Sequence, residues 1–264
     1  MITINGNPIT VNGNFINNVI EVLPYTLRLK FKDGVTPTFS SGTGVQVSTS
    51  PNIWDLTYKN PDWYRLLYKQ KNLLEVVTGN TSNVTSMHSM FLDCVSLSSV
   101  SLFDTSNVKP MYSMFGGCSS LNTVPLYDTS NVTAMADMFG NCRSLTSVPL
   151  FDTSSAVNMR NMFASCHHLT SVPLFDTSNV GEMNNMFISC SSLTSIPLFN
   201  TSKVYDMEYA FYDCYNVQSG ALALYKQASS QDNPPRTHTS AFRNCGINTQ
   251  TGSAELAQIP SDWK

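Results

Sequence analysis

From residue 80 to residue 216 the apolar positions keep one order and never lose step. In MADMFGNCRSL, Met135, Met138, Phe139 and Cys142 fall three and four residues apart. That spacing is one apolar face of a short helix or, given the Gly and Asn inside it, of a 3₁₀ turn. The following LTSVPL puts Leu145, Val148 and Leu150 in the L-x-x-L-x-L spacing of a short strand lining a coil. With Val132 they give eight inward positions: Val132, Met135, Met138, Phe139, Cys142, Leu145, Val148 and Leu150.

The pattern returns every 24 residues. Asp/Asn-Thr-Ser begins at Asn80, Asp104, Asp128, Asp152, Asp176 and Asn200. Cysteine recurs at 94, 118, 142, 166, 190 and 214, and Met and Phe ladders run in the same register. A fixed period between about 20 and 50 residues signals a stacked repeat, and this one is too short for a four-stranded propeller blade. The expected fold class is therefore an α+β solenoid. It would be a leucine-rich-repeat right-handed coil of short parallel strands and short helices or 3₁₀ turns, with a small N-terminal β module. No single coil could bury its apolar face alone, so the stack must do it collectively. Pro125, Pro149, Pro173 and Pro197 each remove a ladder donor, so the strands should be very short and stop near the preceding Val or Ile.

The edges of the repeat are less regular. WYRLLYKQKNLLEVV fits one step earlier as a degenerate first coil, with Trp63 on the Met position, Leu66 and Leu67 on Met-Phe, and Gln70 on Cys. At the other end AFRNC copies AFYDC after a seven-residue insertion, with a helix expected from about Ala221 to Ser229. Residues 1 to 60 alternate apolar and polar letters around Asn-Gly and Asn-Pro signals, as hairpin-forming chains do. The expected division is 1–60 N-terminal β module or cap, 61–79 degenerate repeat, 80–219 six repeats, and 220–264 C-terminal cap.

Composition narrows the function. Charged residues are only 12% and the formal net charge is −3, which favours neither nucleic acid nor an anionic membrane. No run of about 18 apolar residues suggests a membrane span. The start, MITINGNPITVNG, shows no basic stretch followed by an apolar one, so no secretory leader is expected.

Candidate chemistry is sparse. All seven cysteines belong to the repeat. Copies stacked about 4.8 Å apart with parallel Cβ vectors suit a buried thiol ladder better than disulfides. The Asp column could be read as a calcium column, but Asx-turn capping explains its Asn members as well. His88, His167, His168 and His238 fall on variable positions, and no nucleophile elbow, P-loop, dinucleotide or metalloprotease motif occurs. No catalytic residue, cofactor or metal is expected. In the last full coil the variable positions become aromatic: Tyr205, Tyr209, Tyr212 and Tyr215. Tyrosine is a common anchor at interfaces, so these four are the candidate partner-binding residues. Packing against the C-terminal cap is the alternative reading for them.

Laid out as FDTSNVTxMxxMFxxCxSLTSVPLFDTS, the repeat resembles the BspA-like leucine-rich-repeat surface proteins, closely over residues 80 to 216 and loosely from 63 to 246. The resemblance implies a surface-exposed adhesin without catalytic residues. A β module followed by such repeats and starting at Met1 looks more like gut-phage and prophage proteins. The expectation is a virion-associated binding protein, assembled in the host cytoplasm and presented at the virion surface. Its partner would be a bacterial surface protein or glycan, with the β module meeting other virion proteins. Nucleic acid and membrane insertion are not expected, and a homo-oligomer is possible on this reading. The alternatives are a bacterial cell-surface adhesin and a spacer without a ligand.

Overall fold

YTLRLKF alternates so that Leu27, Leu29 and Phe31 point into a core while Arg28 stays outside. In the computed structural model this stretch is the middle of the sheet that joins the N-terminal module to the repeats. The structure describes residues 25–39, 42–58 and 60–264, preceded by four two-residue strands. These are β1 (Thr3–Ile4), β2 (Asn7–Pro8), β3 (Thr10–Val11) and β4 (Asn14–Phe15), paired antiparallel as β1–β2 and β3–β4. The Asn-Gly turns of the expected hairpin lie outside the described residues.

The main sheet has the order β6-β7-β5-β8-β9. Its strands are β5 (Tyr25–Phe31), β6 (Thr43–Thr49), β7 (Asn52–Tyr58), β8 (Leu73–Asn80) and β9 (Ser99–Val100). Strands β5 and β8 run antiparallel, whereas β8 and β9 run parallel with Val76 opposite Val100, one repeat later. Strand β8 thus belongs to the first coil and to the module at once. Across the outer face Arg28 grips Asp55 through two bonds of 2.8 Å, a planar fork meeting a carboxylate.

Beyond β9 the strands shrink to isolated parallel bridges such as Ser195↔Ser219. Proline is the cause. Where the Pro column carries Ser101, that residue donates to Val76 O at 3.0 Å and the strand pair survives. Where it carries Pro125, Pro149, Pro173 or Pro197, this donor is gone.

The stack is held instead by the segments that begin at the first Met of each coil. Alternate N–H groups stay within the coil and close i→i−3 turns, as Met90 N does on Met87 O at 3.2 Å. The others donate forward to the next coil, as Phe91 N does to Met114 O at 2.9 Å and Phe115 N to Met138 O at 3.0 Å. A left-handed residue every fourth position makes this alternation possible, for example Asp137 (φ 57°) and Asn141 (φ 63°). This corrects the expected short helices or 3₁₀ turns within the coil. A regular helix would turn every amide back on its own chain and leave nothing to join coil to coil. Among the described residues, helix is confined to the C-terminal cap.

A second correction concerns Leu150. It is 60% exposed, as are Leu102, Leu126, Leu174 and Leu198 at 54–64%, while the next residue in each coil is buried. Phe151 N folds back onto Pro149 O at 3.0 Å, so the strand alternation does not continue past the proline. Leu150 turns out and Phe151 turns in.

The interior is a set of columns. Phe91, Phe115, Phe139, Phe163, Phe187 and Phe211 stack with ring centroids 5.3–5.7 Å apart. Phe103, Tyr127, Phe151, Phe175 and Phe199 form a parallel column beside them. The cysteines are all free and buried; the thiols from Cys118 to Cys214 donate to the Phe column, as Cys142 Sγ does to Phe115 O at 3.1 Å, and Cys94 Sγ donates to Leu67 O. Thr81, Thr105, Thr129, Thr153 and Thr177 of the Asp/Asn-Thr-Ser motif each donate to a carbonyl of the next coil, as Thr153 does to Asp176 O at 2.8 Å, whereas Thr201 accepts from Gln231 Nε2. The Asp caps its own turn: Asp152 Oδ1 accepts from Ser154 N at 3.0 Å and Ser154 Oγ at 2.6 Å. Together these columns make a solenoid-like repeat fold.

In the first coil Trp63 N donates forward to Ser86 O at 2.9 Å. At the far end the step lengthens from 24 to 31 residues, seen in the bridge Asp206↔Thr237. The added residues carry α1 (Ala221–Ser229), which buries Ala221, Leu224 and Ala228. Then come α2 (Gln250–Ala257), capped by the Thr249 side chain on Gly252 N, and a 3₁₀ turn, Ser261–Trp263. Trp263 stacks on His238 at 4.1 Å and lies 6.2 Å from Phe242, closing the aromatic column.

Candidate functional site

The columns account for the repeated interior residues, which leaves the outward residues as the ones that vary between coils. Three groups stand out: a leucine column and an aromatic cluster at each end of the stack.

Leu102, Leu126, Leu150, Leu174 and Leu198 occupy one position in five successive coils. The position before Leu102 is Thr78, and the one after Leu198 is Leu222, partly buried in α1. The exposed column is therefore bounded at both ends by the fold. Scattered surface leucines need no explanation, whereas a contiguous apolar column does.

Of the four tyrosines, Tyr209, Tyr212 and Tyr215 neighbour one another, whereas Tyr205 turns to Glu182. Tyr205 OH donates to Glu182 Oε1 at 2.7 Å, a bond that holds the phenol above its ordinary pKa. Tyr209 and Tyr212 meet edge-to-face at 5.5 Å, with Arg243 over Tyr212 at 5.7 Å. Tyr215 leans on Asp213, which raises its hydroxyl pKa. Trp263 takes up Tyr225 rather than any of these four.

The corresponding face of the first coils carries a cluster that sequence reasoning missed. Tyr64, His88 and Tyr112 follow one another at the 24-residue step and stack, with centroids 4.7 Å and 3.3 Å apart. Arg65 lies over both Tyr64 and Tyr68, 5.1 Å and 4.9 Å from their centroids, and Lys69 sits 4.8 Å over Tyr68. Burial, and next the Arg65 charge, push His88 below its usual pKa against the pull of Asp62. The repeat register was enough to find the ring column. The placing of the cations needed backbone angles.

Between these ends Gly116 and Gly140 replace the larger Leu92 and Ile188 of their column, opening a recess of about 390 Å³ lined by Asp93, Asp137 and Arg143. Burial raises the Asp137 carboxyl, and Asn161 opposes this by hydrogen bonding to it. Desolvation pushes every thiol up, Cys94 and Cys190 to about 12, which disfavours the reactive thiolate.

Residues 64–172 and 123–225 match the family described as a Mycoplasma protein of unknown function, DUF285. The two stretches run together over more than half of the chain. The chain belongs to that family. Membership supports the BspA-like, leucine-rich-repeat resemblance and is silent on any phage. No curated protein matches the chain in sequence. Among solved structures, the crystal structure of a T. pallidum leucine-rich repeat protein matches 76% of this chain and 99% of that chain, at 18% identity and a TM-score of 0.34. Among the described residues no helix is long and apolar enough to cross a membrane.

Proposed function

We propose that this is a non-enzymatic binding protein of a surface, and that it holds a protein partner along the leucine column. The observation that carries the reading is the exposure of all five leucines, 54–64% each, at a position the core does not use. Covering their exposed parts would contribute on the order of 5 kcal/mol before the costs of association. That is enough to matter in a complex whose polar rim adds specificity. Buried thiols with raised pKa values and carboxylates engaged in Asx turns support the non-enzymatic part.

The test is the triple variant Leu126→Ser/Leu150→Ser/Leu174→Ser, compared with wild type in capture by intact bacterial cells and by their solubilised envelope proteins. A folded variant that loses capture at least tenfold supports the column as the contact. Equal capture overturns it.

The finer reading is a virion-associated protein attached through its β module. Strand β6 supports it: it is an outer strand of the sheet, exposed on both faces, with Val45 and Val47 outward. Such an edge suits strand addition by another protein. Immunogold labelling decides between placements. Label on phage particles favours this reading, and label on the cell envelope favours a BspA-type adhesin instead.

A further inference from the structure

The first coil departs from the other coils where the backbone is least forgiving. Each coil has two left-handed positions, and later coils fill them with Ser, Asn, Asp or Gly, Tyr209 excepted. These residue types tolerate that conformation best. The first coil places Arg65 (φ 53°) and Lys69 (φ 58°) there. Neither residue fills the core, since both are exposed. Stacking requires the left-handed backbone in every coil but not a long cationic side chain on it, and that choice of residue points to a role in recognition.

Both cations converge on Tyr68, and Tyr68 and Lys69 line a cavity of about 620 Å³ between the first coil and the loop after β5. Its apolar walls are Val35, Pro37 and Phe39, with the buried Phe31 at its base. Phe39 is fixed edge-on between Phe31 and Trp54, each 6.2 Å away. Its polar lining is Thr36, Thr38, Lys69, Gln70, Lys71 and Asn72, and it includes no carboxylate. Gln70 Nε2 donates to Thr38 O at 2.7 Å, tying the loop to the coil. Asp33, the acidic residue of that loop, is engaged by Asn52 N at 3.1 Å.

We infer that this cavity is a binding site for an anionic saccharide. The size suits one or two sugar rings. Aromatic and proline walls suit the apolar faces of such rings, amides suit their hydroxyls, and Lys69, Lys71 and Arg65 supply the countercharge. The site is built jointly by the N-terminal module and the first coil, so the module completes it as well as capping the stack. It lies apart from the leucine column and stands independently of the role proposed for that column.

The full chain is titrated calorimetrically with 3′-sialyllactose and trigalacturonic acid. Lactose serves as the neutral control and a short polyglutamate peptide as the charge control. The decisive variant is Arg65→Ser/Lys69→Asn, which installs residue types that other coils carry at the same left-handed positions. Its melting temperature should be unchanged or higher. The expected result is that at least one acidic sugar binds wild type, binds the variant at least tenfold more weakly, and binds the Leu126→Ser/Leu150→Ser/Leu174→Ser protein as well as wild type. Absence of acidic-sugar binding to wild type, equal binding to the folded variant, or comparable binding of lactose or the peptide would overturn the inference.

Discussion

Leu150 and Phe151 are adjacent, equally apolar and equally regular from coil to coil, yet one is 60% exposed and the other 2%. Phe151 stacks on Phe139 at 6.0 Å, and Phe139 belongs to a column that stacks on itself from coil to coil. The leucine column stacks on nothing further in. Regular recurrence therefore marks two different constraints. Inside, a ring must match the ring above and below it. Outside, a repeated side chain offers a partner the same contact at every step.

The contrast is sharpest at the centre of the stack. Phe163→Ala should cost about 3–5 kcal/mol in urea unfolding, because it removes a ring packed against Phe139 and Phe187 on both sides. A loss below about 1 kcal/mol would mean that the column repacks freely, contrary to a stack of matched rings. Thr153→Val should cost about 1–2 kcal/mol, since it keeps the shape but deprives Asp176 O of its hydroxyl donor. Leu150→Ser, one residue from the aromatic column, should change stability by no more than about 0.5 kcal/mol, as surface substitutions do. A cost near that of Phe163→Ala would show that the leucine is covered in solution.

The smallest expected effect is set by pH and separates the first coils from the rest. His88 is held below its unfolded value, so protonation favours the unfolded chain. Stability should be constant above about pH 7 and fall as pH drops through the unfolded value of about 6.5. His88→Gln should abolish that slope. The capping carboxylates Asp104, Asp152 and Asp176 act at lower pH: their pKa values are lowered, chiefly by the serine hydroxyls. Their contribution is present above about pH 4 and fades as pH falls below it. Thermal melts between pH 3 and pH 8 would resolve the two regions.

Much of this architecture was legible in the letters. The 24-residue step, the seven-residue insertion, the helix at 221–229, the cysteine column and the Asx turns all follow from residue type and spacing. Leu150 did not, because alternation was carried through a proline that ends it. The forward-donating turns did not either, since a three-and-four spacing fits a helix equally well and only φ separates them. The four tyrosines were chosen for their density within one coil. Tyr64, His88 and Tyr112 were legible in register, three letters at one step, but they differ in type, and only His88 enters the sequence reading, as a histidine on a variable position. Arg65 and Lys69 become unusual only once their backbone is known to be left-handed.

The forward direction of the turn amides gives the stack a head and a tail. Every coil offers donors on the side facing the next, so the final coil must be answered by acceptors. The cap supplies one, for Phe242 N donates to Trp263 O at 2.8 Å. A second molecule could extend the row only if that carbonyl withdrew, and then in a single orientation. Trp263 thus works as punctuation, closing a sentence whose grammar would otherwise let it run on into a filament.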